Sequence, residues 1–561
     1  MSADGEQAPD AAPGARSGPS GAGSPSPASS GGAQTVVRRI IVFVILFALV
    51  VVAAGGLSGL LEQAIGADQV LAADDSGLAR SLAFTLIGAP LAGLLWWWER
   101  RRLADPAERA SLVWALYLVA MTVTALIVAT VALASAAAAG IEGEWRPGEL
   151  ATGVVWLGVW VWHRHMRRSS ATAPGRLADV PVQLSALYGL AVAASGAVAV
   201  IAVLIAEALV DVSLALVVSQ HWVVTVLQAL VWFVVGALVW WWHWFRERAR
   251  DASGAFAAVL LVVVTGAAAA VTLFAIGTAL FVALRLVFDS DPPAEILSPL
   301  DAAVAAGLIG AIVCAYHAGV LAGRSPAAQR AGRLVVSAVA LIGAASGFGV
   351  VVNALLATFG DALVDEDPRT LLLGGVSALA VGAPAWWLAW RPARPVSAEE
   401  AADPARRVYL VAVFGASAIV AIVTVLIIGF RLFEFALDAG SAAGLIERIR
   451  GPVGLLSATV VVFVYHFTIW RRDRVAAATV GPRQTIGRLI LVTAGDADAI
   501  AGVLHAETGA AVSIWRSAVA GARLREDDLP ALREALHGMT AARVLVIADA
   551  GGGAQVVPLA D

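Results

Sequence analysis

The chain has 561 residues, 59% of them hydrophobic and 14% charged, with a mean hydropathy of +0.81. A soluble domain carries about 25% charge, so a single water-exposed core is excluded and lipid is the expected solvent. The formal net charge of −4 is small, and only its distribution along the chain is informative.

The chain contains no lysine, so all 38 basic residues are arginine. Together with the heavy use of Ala, Gly and Val, this composition is expected of a high-GC bacterial genome. The one cysteine, Cys314, lies in an apolar run. It can form no internal disulfide, and no CxxC or Cys/His cluster suggests zinc or an iron–sulfur centre. Metal and cofactor are therefore expected to be absent.

Residues 1–35 are Ala, Gly, Pro and Ser with a few acids. That mixture buries too little apolar area to offset its ordering entropy, and a disordered tail is expected. Arg38–Arg39 sits too far in for a secretory signal, and the run after it is membrane-length.

Crossing the hydrocarbon core takes about 20 apolar residues in a helix. Such runs centre on Ile40–Leu61, Leu82–Trp98, Ser111–Ala136, Leu150–Trp162, Val182–Val210, Trp222–Trp242, Phe256–Leu284, Leu300–Leu321, Leu334–Phe359, Leu371–Trp387, Val408–Ala436 and Val453–Ile469. The fourth is the weakest, although Trp156, Trp160 and Trp162 extend it. The expectation is an all-α transmembrane bundle of about 12 helices.

Loop charge alternates. One set of loops is rich in arginine: Arg38–Arg39, Arg100–Arg102, Arg164–Arg168, Arg246–Arg250, Arg324–Arg333, Arg391–Arg407 and Arg471–Arg474. The other set is acidic, with Asp68, Asp74 and Asp75, then Glu142, Glu144 and Glu149, then Asp289, Asp291 and Glu295, then Asp361, Asp365, Glu366 and Asp367. The positive-inside rule then places both termini in the cytoplasm of a bacterial inner-membrane protein.

The spans pair into two-helix units, each with a long first helix and a second ending in aromatics followed by His or Arg. The endings align as Trp98–Glu99, Trp162–His163, Trp242–His243, Tyr316–His317, Trp387–Leu388 and Tyr465–His466. Six repeats are expected, over 36–103, 108–168, 182–250, 254–324, 330–391 and 405–474. This long helix, outer loop and Trp-rich helix ending in Arg resembles the bacterial membrane repeat known as domain of unknown function family 5671. The fourth unit lacks Trp and the fifth lacks His. The resemblance implies a multi-pass membrane protein and brings no activity with it.

After Arg474, a linker (475–484) leads to a small C-terminal α+β domain over 485–561, of order βαβαββ and expected in the cytoplasm. Strands are expected at Leu489–Ala494, Ala511–Trp515, Arg543–Ala548 and Gln555–Leu559, and helices at Asp496–His505 and Leu529–Leu536. Asp496 and Asp528 stand at N-cap positions, and Gly551–Gly553 marks a hairpin turn. With neither GxGxxG nor a lysine, dinucleotide and P-loop sites find no support, and no basic aromatic patch suggests nucleic acid.

Two sets of residues are candidate sites. His163, His243, His317 and His466 form a column whose imidazoles could ligate haem or relay protons; an interfacial Trp/Tyr belt explains the same positions more simply. Glu207, Asp211, Arg285 (with Asp289), Asn353, Arg431 and Glu434 lie near the outer ends of long helices, where ionisable residues could mark a substrate path. Those helices overshoot the bilayer, so water or headgroups can account for the charges. No acid falls mid-span, which argues against ion-coupled transport. Gly343, Gly347 and Gly349 are read as helix-packing residues.

No HExxH, GxSxG or paired carboxylate points to an enzyme. The leading expectation is a non-enzymatic membrane scaffold or sensor coupled to the C-terminal domain, where a cytoplasmic protein or metabolite would bind. The alternatives are a transporter of an apolar or amphipathic solute and a haem-binding electron-transfer protein.

Overall fold

The computed structural model describes residues 30–66, 75–209, 221–359, 368–391, 397–401, 403–437, 442–479, 486–495, 497–519 and 521–559. The expected disorder of residues 1–29, and the expected cap Asp496, lie outside the described residues. Helix begins at Ser30, ahead of the expected end of the tail.

Twelve long helices follow: α1 (Ser30–Ile65), α2 (Asp75–Arg102), α3 (Leu112–Ile141), α4 (Pro147–Arg168), α5 (Val180–Leu209), α6 (His221–Trp241, continued by a π-turn over Trp242–Arg246), α7 (Ala255–Phe288), α8 (Leu300–Ala322), α9 (Pro326–Ala357), α10 (Pro368–Trp390), α11 (Pro404–Leu437) and α12 (Ala442–Thr479). Among the described residues, eleven of these are long and apolar enough to cross a membrane. The exception is α4, a 22-residue helix that carries Glu149, His163, Arg164, His165, Arg167 and Arg168. The long-then-short pattern of the hairpins holds until the last. There α12, at 38 residues, outruns the 34 of α11 because it starts at Ala442, ahead of the expected span, and continues to Thr479 in the expected linker.

The chain divides into two compact units, residues 1–203 with 210–252, and residues 204–209 with 253–561. In the first, Leu46, Trp114, Leu118, Met121 and Met166 form a fully buried core. Ser111 starts α3 by accepting the Trp114 N–H at 3.3 Å.

In the second unit, small residues decide which helices touch. A Cβ on Gly347 of α9 would lie 2.4 Å from the Leu379 nitrogen of α10, and one on Gly454 of α12 would lie 2.3 Å from the Gly349 carbonyl oxygen of α9. Two helix backbones therefore meet α9 where only hydrogen fits between them. Gly343 differs, since its nearest neighbour would be 3.9 Å away. It lines a groove of about 570 Å³ between α7, α9 and α10.

The C-terminal region has the order β1 (Ile486–Thr493), α13 (Asp498–Thr508), β2 (Ala511–Arg516), α14 (Leu529–Leu536), β3 (Ala541–Ala548), β4 (Ala554–Leu559). The sheet runs β2-β1-β3-β4, with three parallel strands and an antiparallel edge. Leu489, Leu491, Val544 and Val546 alternate onto one face and pack with Leu504, Leu532 and Leu536 of the two helices. The glycine turn before β4 forms, with Gly552 and Gly553 at φ +93° and +94°, a region open to glycine at little cost. Asp528 stands before α14 as expected, but does not cap it with its side chain. Its carboxylate instead accepts the Arg525 N–H at 2.8 Å, closing the preceding turn.

The packing makes a paired prediction. Gly347→Ala should lower stability by about 1–3 kcal/mol, the usual cost of overpacking, whereas Gly343→Ala should be near neutral. Thermal unfolding of both variants in one detergent reads the difference, and equal midpoints would contradict the close contact.

Candidate functional site

Each arginine-rich helix end is built the same way: an aromatic, a histidine or its substitute, then arginine. His163, His243, His317 and His466 are all buried. Each places Nδ1 2.8–2.9 Å from the carbonyl four residues earlier, that of Val159, Val239, Val313 and Val462 respectively. A carbonyl only accepts, so Nδ1–H donates, and in the neutral ring Nε2 is an acceptor. The Tyr117 hydroxyl of α3 is 3.1 Å from Nε2 of His163 and donates to it. Trp96, Trp114 and Tyr117 stack in sequence beside this pair.

His466 sits among Trp386, Trp390, Tyr409 and Tyr465, with ring centroids 5.0–6.3 Å away, and its Nε2 has no hydrogen-bond partner among the described residues. Trp390 Nε1 donates to the Tyr465 oxygen at 2.9 Å, and Tyr409 and Ser337 share a hydrogen bond of 3.1 Å. Among the described residues, no three His, Cys, Asp or Glu side chains gather as a metal site. The four histidines stand on four different hairpins, and the His243 ring meets Trp160 of the preceding one.

Beyond the aromatics, single acids tie arginines together. Glu247 accepts from Arg164 and Arg167, both at 2.6 Å, from Arg168 at 3.0 Å, and from Trp242 Nε1 at 3.3 Å. Burial alone would push this carboxyl up, but the Arg164 and Arg167 guanidiniums outweigh it and hold it at about 2. Glu108 binds Arg38 and Arg39 at 3.2 and 2.8 Å. In the second unit Asp403 binds Arg330 and Asp473 binds Arg406, both at 2.7 Å. The Arg406–Asp473 pair is only 6% exposed on either side, and Arg406 also lies over the Trp390 ring.

The outer-end candidates do not assemble into one site. Arg285 bonds Asp289 at 2.7 Å and also pairs with Asp291; Thr370 donates to Asp289 at 3.3 Å. The Arg285 guanidinium holds the Asp289 carboxyl below its ordinary value. Arg431 and Glu434 are 3.7 Å apart and well exposed, with Arg448 3.5 Å from the same carboxylate, an arrangement worth little. Asn353 accepts from Arg450 at 3.0 Å, and Arg450 also binds Glu447. Glu207 is half-buried on α5 without an ion pair among the described residues, and Asp211 lies outside them.

Tyr117, Tyr409, Glu247, Asp473 and Arg450 were not among the sequence candidates. Two signals point to most of them. One is the recurring Tyr-Leu early in a long helix, at Tyr117–Leu118 and Tyr409–Leu410. The other is a lone acid inside an arginine run, as in RER around Glu247 and RRDR around Asp473.

These features define a multi-pass membrane protein with a small C-terminal mixed-sheet region. The chain belongs to a family described only as a domain of unknown function, DUF5671, whose model matches residues 35–152, 179–312 and 330–461. No curated protein and no solved structure matches it. Each match runs through three long helices into a fourth, so the family's unit is two hairpins long.

Two predictions follow from the helix-end geometry. Tyr117→Phe leaves His163 Nε2 buried without a donor and should cost about 1–3 kcal/mol, seen as a lower unfolding midpoint. Glu247 has a depressed value in the folded state, so its contribution is complete above about pH 4.5 and is lost as pH falls toward 2. Glu247→Gln should cost roughly 2 kcal/mol at neutral pH, allowing for solvent on the Arg168 side. It should also flatten the acid limb of a stability–pH curve, and an unchanged limb would assign the acid sensitivity to other groups.

Proposed function

We propose that this chain is a non-enzymatic membrane scaffold or sensor in a bacterial cell membrane, with both termini in the cytoplasm and its C-terminal domain as the output. The observation that carries this reading is α12. At about 1.5 Å per residue, its 38 residues span roughly 57 Å, against a hydrocarbon core of about 30 Å. One continuous helix therefore links the Arg450–Asn353 contact, the His466 aromatic cluster and the Arg406–Asp473 pair. It ends a few residues before β1.

A tilt or slide of α11 against α12 would be carried through that buried ion pair to the C-terminal end of α12, the helix that precedes the domain in the chain. The seven arginine-bearing segments support the orientation. Seventy-four residues of mixed sheet and helix, from Ile486 to Leu559, supply a surface for a cytoplasmic protein or metabolite.

Hydrogen exchange on the full-length protein in nanodiscs of two bilayer thicknesses tests this. Exchange in the α12 C-terminus and β1 should differ between the two, and Asp473→Asn should remove the difference in β1. Identical exchange in both bilayers would overturn the sensor reading.

A second reading, transport of an apolar or amphipathic solute, is favoured by the groove that Gly277, Gly343, Gly374 and Gly382 line between α7, α9 and α10. Gly343→Trp would fill it, and flux unchanged by that variant would remove the groove from any transport role.

A further inference from the structure

A second groove, in the first unit, has a chemistry the helix-end pattern does not explain. It runs between α1 and the start of α3, with a volume of about 860 Å³. Its walls include Ile40, Phe47, Leu112 and Leu116, and its floor is Phe43 and Tyr117. The floor is fixed in place, because Phe43 packs on both Trp114 and Tyr117 and Tyr117 is tied to His163. Along α1 the lining extends from Val36 to Phe47. That is about 16 Å of helix, roughly the depth of one leaflet's share of the hydrocarbon core.

One end of this apolar slot is cationic. Arg39 and Arg176 both line it. Arg39 donates to Glu108 through Nε, and its terminal nitrogens make no ion pair among the described residues. Arg176 is exposed and has no ion pair among the described residues. It is nevertheless not on a loose loop. Gly175 donates to the Arg109 carbonyl at 2.9 Å, and Trp114 Nε1 donates to the Thr172 carbonyl at 3.0 Å. The next residue, Leu177, is held at φ +54°, a conformation rare outside glycine that persists only where surrounding contacts enforce it.

We propose that this groove is a binding site for one anionic phospholipid, with an acyl chain along Ile40, Phe47, Leu112 and Leu116 and its phosphate between Arg39 and Arg176. The charge and the shape argue for a lipid together. A guanidinium pair binds a phosphate oxygen set through forked donors, and the apolar slot leading away from it is leaflet-deep. A free phosphate would leave the slot without an occupant, and a zwitterionic lipid would bring its own cation to the arginines. The site depends only on residence in a membrane and stands whether the protein is a sensor or a transporter.

The test uses full-length protein in nanodiscs doped with phospholipid carrying a photoreactive group in one acyl chain, with either a phosphatidylglycerol or a phosphatidylcholine headgroup. Adducts are mapped by peptide mass spectrometry. The glycerol probe should label the Leu112–Tyr117 and Ile40–Phe47 segments roughly fivefold more than the choline probe, as expected of about one basic contact near the membrane surface. Arg176→Ala, an exposed position whose loss should not disturb folding, should remove most of that preference. Leu116→Trp should block labelling by both probes. Equal labelling by the two headgroups, labelling by neither, or a preference unchanged in Arg176→Ala would each overturn the site.

Discussion

A polar group carried into hydrocarbon has no water to turn to, so its hydrogen bonds must come from the protein itself. The chain meets this requirement in one repeated way. Thr130, Thr265, Thr272, Ser377, Ser417, Thr424 and Ser457 each donate to the carbonyl four residues earlier on their own helix. The four helix-end histidines do the same through Nδ1. Each of these side chains thus bonds to its own helix. The helices are then free to pack through apolar and small residues, and the close contacts at Gly347 and Gly454 become possible. The same device fixes the histidine tautomer and leaves Nε2 as an acceptor, which at His163 meets the Tyr117 hydroxyl of the neighbouring helix.

Arginine raises the opposite problem, because it has donors in excess and no acceptor. The fold answers with single carboxylates placed between arginine-bearing segments. Glu108 sits 69 and 70 residues from Arg39 and Arg38, and Asp403 holds the matching place opposite Arg330. Both pairs join the start of a first hairpin to the loop before the second, in the first and third family matches. These two copies are thus closed by charge as well as by apolar packing. Glu247 and Asp473 are the more buried versions. Losing either carboxylate would strand buried guanidinium groups, a heavier cost than the pair itself is worth.

The membrane class, the positions of the long helices and the order of the C-terminal elements were legible because each rests on local pattern: apolar run length for the helices, of which α4 falls short as a span, alternation for the strands, glycine for the turn. The sites were less so. Arg285–Asp289 is an i,i+4 pair, and its spacing was enough to find it. Asn353 meets Arg450 across 97 residues, and nothing local to either predicts the other. Asp528 sits in the right place, yet bonds backward to Arg525, because a carboxylate flanked by two short elements can serve either. The C-terminal extra length of α12 was hidden because Arg471–Arg474 read as a loop, whereas arginine is a good helix former and the helix runs on through it to Thr479.

The period of the family model changes how the histidine column is understood. If the unit is two hairpins, His163, His317 and His466 are equivalent positions on second hairpins, and Glu99, His243 and Leu388 are equivalent positions on first hairpins. The second-hairpin histidine is present in all three copies and the first-hairpin position varies, as expected if only the former is required for packing. The partner residues follow the same logic. Leu118, Leu261 and Leu410 are buried in all three copies, while the residue before each is Tyr117, Leu260 or Tyr409. The copies then diverge around this shared frame. Trp390 of the third copy is fully buried between Tyr409 and His466. The first copy carries Arg101 at the aligned place, exposed and stacked on Trp97. An indole that fills the core in one copy is thus replaced in another by a guanidinium directed outward, close in sequence to Arg100 and Arg102. A helix end that serves mainly as packing in the third copy presents cationic surface in the first, on the unit that also contains the arginine-capped groove.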